Sequence, residues 1–124
     1  MRAPAVPPLT DSTRLLAYKD ALGNWRITGF VEFELTEEAH RWVRRELNGV
    51  DLNSLRRVMH DYVMAGGEID EVKETRPEWT QYEYHHDLRL TIQDKAVYIE
   101  TRLCYREPFI QDEASILVVN IHER

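Results

Sequence analysis

Residues 81–105 read QYEYHHDLRLTIQDKAVYIETRLCY, and the period of this stretch decides the fold. Apolar and polar residues alternate through 84–92 and again through 95–105, the pattern of two half-buried strands. Gln93-Asp94 supplies a two-residue turn between them. With that turn Leu90 lies opposite Val97, Leu88 opposite Ile99, Arg89 opposite Tyr98 and His85 opposite Arg102. One face then holds His86, Leu88, Leu90, Val97, Ile99 and Leu103. The other holds His85, Asp87, Arg89, Tyr98, Glu100 and Arg102. The two apolar rows agree with each other, which supports the register. SILVVNIHER, residues 115–124, adds a third strand that starts apolar on both rows and turns polar at Asn120 and His122. We expect those two residues to join the polar face.

Upstream, Thr36 reads as an N-cap followed by Glu37 and Glu38, where the helix dipole favours anions. Ala39, Trp42, Val43 and Leu47 form its apolar stripe, and Asn48-Gly49 stops it. A second helix starts at Asp51 or Asn53, carries Leu55, Met59, Tyr62 and Val63 on one side, and ends at Gly66-Gly67. EIDEVKETRPEW is a short polar strand or an irregular link, since Pro77 bars the middle of a sheet. RLLAYKDALGNWRITGFVEFEL reads as an N-terminal β-hairpin, with strands at 14–19 and 25–35 turning at Gly23-Asn24 and bent at Gly29. The expected architecture is α+β: two helices packed on one face of an antiparallel β-sheet, with an N-terminal β-hairpin. Residues 1–12, MRAPAVPPLTDS, read as a disordered proline-rich tail and 13–124 as a single α+β domain.

A chain of 124 residues buries a core without staples. The lone Cys104 forms no internal disulfide and suits a reducing cytoplasm. No apolar run reaches the ~18 residues of a membrane span, and the opening segment lacks the apolar core of a secretory leader. The formal net charge of −6 weighs against non-specific coating of nucleic acid and suits a basic partner.

The polar face carries the parts for metal-free phosphodiester cleavage. Glu100 and His122 are the proton-moving pair, Arg89 and Arg102 the holders of phosphate, with Tyr98 among them. His40 and Arg44, four apart on the first predicted helix, lie with His85 and Asn120 as substrate contacts. A solvated sheet face with cross-strand Arg–Glu pairs fits the same pattern. His85 and His86 point to opposite faces and do not share a metal ion. No cofactor is expected.

From about Leu35 onward the organisation resembles the small RelE-like bacterial toxin superfamily, and within it the motility quorum-sensing regulator (MqsR) branch. The similarity lies in AHRWVRRELNGV, with His40, Arg44 and Gly49-Val50 in matching places, and in AVYIETRL and ILVVNIHE as closing strands. Arg41 replaces the family's alanine and Asn48 its second arginine. The resemblance implies an mRNA endoribonuclease neutralised by an antitoxin, with Arg89, Tyr98, Arg102 and His122 on the sheet. The competing expectation is a non-catalytic protein-binding module of the same fold, perhaps as a homodimer. A small-ligand binder using Trp25, Trp79 and Tyr84 is a third.

Overall fold

The computed structural model describes residues 6–107 and 110–124, with side chains outside 106–113. The chain is α+β, with three helices and a five-stranded, mostly antiparallel sheet. The elements run α1 (Ser12–Gly23), β1 (Val31–Phe33), α2 (Glu37–Glu46), α3 (Leu52–Met64), β2 (Ile69–Lys73), a 3₁₀ turn (Pro77–Trp79), β3 (Tyr84–Ile92), β4 (Lys95–Glu107) and β5 (Ile110–Glu123). Their order across the sheet is β1-β5-β4-β3-β2, antiparallel throughout except that β1 runs parallel to β5.

The predicted N-terminal hairpin is overturned. Its first strand lies inside α1, and its second shrinks to Val31–Phe33. Asp11 caps the helix by accepting from the Arg14 amide at 2.9 Å. Tyr18, Ala21 and Leu22 recur at helical spacing and are buried. Gly23-Asn24 is a helix end: the Asn24 amide donates to the Ala21 carbonyl. The tail reading also changes. Leu9 is buried, its amide donates to the Ile69 carbonyl (2.7 Å), and the Glu71 amide donates to the Pro7 carbonyl (2.9 Å), so residues 7–9 line the edge of β2. Residues 1–5 lie outside the described part.

The other helices start where their caps predict. Thr36 Oγ1 accepts from the Ala39 amide at 3.1 Å, and Asp51 Oδ1 accepts from the Ser54 amide at 2.7 Å. Gly49 follows α2 at φ +77°, a left-handed position that glycine takes freely. All three helices feed one apolar core, which joins Tyr18, Leu22, Val43, Leu55, Met59 and Val63 to Leu88, Val97, Ile99, Ile116, Val118 and Ile121.

The β3–β4 register is the expected one: Leu88↔Ile99, Arg89↔Tyr98 and Leu90↔Val97. Gln93 and Asp94 both take positive φ (51° and 64°), the geometry of the tight hairpin turn. β5 departs from simple alternation. Thr101 pairs with Val118 and Glu100 with Asn120, so Val119 is an extra, bulged residue. Ile116 and Val118 therefore share the core face with Ile121, while Asn120 and His122 turn outward.

Candidate functional site

The outer face of the sheet is a grid of polar side chains. Arg89, Tyr98 and His122 form one row across β3, β4 and β5; Asp70, Asp87, Glu100 and Asn120 form the next across β2 to β5. The bulge at Val119 brings His122 and Asn120 into this grid, beside the residues expected to accompany them.

Half of the grid is roofed. Residues 74–83, between β2 and β3, fold back over the face, and the Glu74 amide donates to the Glu83 carbonyl (2.9 Å) at the neck of the loop. Trp79 lies over the Arg102 guanidinium, 4.7 Å from its carbon to the ring centre. Arg102 is fully buried. Its Nη2 sits 2.8 Å from a carboxylate oxygen of both Glu74 and Glu100, a charge contact without hydrogen-bond alignment. Arg76 closes the network by donating to Glu74 (3.0 Å) and, at very short range, to Glu100. Burial alone would raise both acids. The hydrogen bonds from Arg76 and the charge of Arg102 instead hold Glu74 at about 2 and Glu100 below the usual carboxylate range.

These contacts bear directly on the predicted catalytic set. Glu100 is buried, ionised and shared between two arginines, so it holds no proton to give a leaving oxygen. Arg102 has no open approach for a phosphate. Glu74, Arg76 and Trp79, which decide both points, carried no signal in the sequence beyond the turn-forming Pro77.

The other half is differently engaged, with Arg89 exposed and Asp70 and Asp87 buried beneath it. Arg89 donates twice to Asp70 (2.7 and 3.0 Å) yet is 47% exposed. The Tyr98 hydroxyl donates to Asp87, whose other oxygen meets His85 Nδ1 at 2.8 Å. Burial first, then Asp87, pushes the Tyr98 hydroxyl well above its usual value. The Tyr98 ring stacks on His122 at 4.7 Å and 23°. His122 Nδ1 lies 2.9 Å from the Glu123 carbonyl, an acceptor only, so Nδ1 carries a hydrogen.

His122 and Asn120 also border a cleft of about 410 Å³ between α2 and the C-terminal half of β5. Its apolar part comes from Ala39, Trp42 and Ile121, and Thr36, Glu38, Arg41 and Arg45 complete the lining. Arg41 meets the exposed Glu37 at 4.0 Å, and Arg45 meets the half-buried Glu46 at 2.9 Å, pairs that bind weakly where water reaches them. His40 and Arg44 fall elsewhere, around a shallow depression on α2 with Glu37 and Arg41. They do not share the cleft with Asn120.

His86 faces the core side and bonds Glu71 at 3.0 Å, apart from His85. Trp25, Trp79 and Tyr84 are engaged separately: Trp25 packs on the core, Trp79 covers Arg102, and Tyr84 lies under Arg14. Among the described residues no group of three or more His, Cys, Asp or Glu is placed to hold a metal ion. Nor is any helix there long and apolar enough to cross a membrane. No protein-family model matches the chain, and neither a curated protein nor a solved structure matches it.

Proposed function

We infer that this chain is a non-catalytic protein-binding module whose contact surface is the cleft between α2 and β5. The observation that carries the reading is the fate of Glu100 and Arg102. Cleavage of a phosphodiester needs a free acid or base and an accessible cation. Both residues are consumed in a buried ion network. The charge of the face points the same way. Asp70, Glu74, Asp87 and Glu100 outnumber Arg76, Arg89 and Arg102 there, so the face does not attract phosphate.

The toxin-type RNA-binding or endoribonuclease reading keeps one observation in its favour. Arg41, Arg45, Trp42 and His122 combine cations with an aromatic surface in one cleft, the combination that single-stranded nucleic acid uses. Glu38 is the other proton-moving side chain that lines this cleft with His122.

Incubation with a labelled single-stranded RNA of mixed sequence decides between them. The protein-binding reading expects an intact RNA on a denaturing gel and no anisotropy change at physiological salt. Cleavage lost in His122→Ala, or binding lost in Arg41→Ala/Arg45→Ala, would establish the RNA reading in its place.

A further inference from the structure

We propose that Pro7-Pro8-Leu9 is a strap that closes the β2 edge and keeps this sheet from pairing with the sheet of a second copy of the chain. The proposal does not depend on what the cleft holds. A sheet edge carries unpaired N–H and C=O groups that an extended chain can meet, so folded proteins cover, shorten or charge their edges. The two edges here are treated differently. β1 has three residues, and its Val31 carbonyl already accepts from Arg56 Nε of α3 at 2.7 Å. β2 has five residues, Ile69–Lys73, and its acids give little protection. Asp70 is bound twice by Arg89 and Glu71 twice by Arg14, so neither presents a free charge to an approaching strand.

The strap meets β2 as an antiparallel segment centred on the Pro8–Asp70 pair. The Leu9 amide donates to the Ile69 carbonyl (2.7 Å), and the Pro7 carbonyl accepts from the Glu71 amide (2.9 Å). An extended segment thus does pair at this edge, which makes the edge competent for one. Leu9 holds the strap down, its side chain 5% exposed and part of the core. Between the two bonded residues, Pro8 turns its own backbone outward, because successive residues of a strand point their groups to opposite sides. Pro8 is exposed and has no N–H. The outer side of the strap therefore offers a carbonyl and no donor at its centre, where a further strand would find half of its ladder missing. The occupant kept out is a second copy, since each chain carries the same edge and two antiparallel copies of β2 make a closed twofold pair.

The test compares sedimentation of the full chain with that of two full-length variants. Pro8→Val restores the missing donor at an exposed position, and Leu9→Asp expels the strap, whose site would otherwise bury an unpaired carboxylate. Both variants are expected to reach about twice the parent's mass as concentration rises. Amide exchange locates the contact: it slows at position 8 in Pro8→Val and at Glu71 in Leu9→Asp, more so at higher concentration. A Pro8→Val chain that keeps the parent's mass at every concentration overturns the proposal, and that variant decides alone if Leu9→Asp loses its circular-dichroism signal. Association that leaves those amides unprotected also overturns it, because the contact then lies on another face.

Discussion

His86 is buried on the core side of β3, its Nε2 on Glu71 and its Nδ1 without a hydrogen-bond partner. Burial lowers its proton affinity, and Glu71 only partly opposes this. Glu71 is itself bound twice by Arg14 of α1 at 2.8 Å, so one imidazole sits where the helix is pinned to the sheet. The sign follows from linkage. With the folded value below the ordinary 6.5, the unfolded chain binds more protons between the two values, so stability present above 6.5 is lost as pH falls through the folded value. Glu71, Glu74 and Glu100, all lowered from the ordinary 4.5, add a second loss as pH falls below that point. We predict a Tm that declines from pH 7 to 5, and a flatter profile for His86→Gln over that interval. Parallel profiles for the two proteins would show that this histidine does not drive the decline.

At the scale of elements, the bulge in β5 sets which residues reach the outer face. Because Val119 is extra, its deletion leaves Asn120 opposite Glu100 and Ile121 opposite Ile99. The deleted chain is predicted to fold, losing about 1.5–3 kcal/mol for one buried valine, with urea unfolding as the check. A regular strand would instead drive His122 inward on the same deletion and collapse the fold. The contrast explains what was legible beforehand. Period-two alternation and the Gln93-Asp94 turn specify β3 and β4, and capping residues specify α2 and α3, because those signals are local. α1 was misread because Leu15, Leu16 and Ala17 make a contiguous apolar run, and Gly23-Asn24 suits a hairpin turn as well as a helix end. Leu16 is in fact 61% exposed. The outward row of Arg89, Tyr98 and His122 was legible by facing alone. The roof of Glu74, Arg76 and Trp79 was not, since its contacts to Glu100 and Arg102 join residues more than twenty positions apart.

Across the whole molecule, charge is sorted into two environments. The charged groups of Glu74, Glu100 and Arg102 lie inside, closed over by the 74–83 loop with Arg76 half-buried at its surface. Arg41, Arg45 and His122 stand at the cleft, with the two arginines 63% and 67% exposed. Inside, removing one partner strands the others as uncompensated buried charges; at the surface, water replaces whatever is removed. The account assigns architecture to the first group and binding to the second. Urea unfolding of Arg102→Ala beside Arg41→Ala/Arg45→Ala tests that division most directly. We predict a loss of about 3–5 kcal/mol for Arg102→Ala and a change within about 1 kcal/mol for the cleft pair. An Arg102→Ala protein as stable as the parent would contradict the account, because its guanidinium would then be held for a ligand and not for the fold.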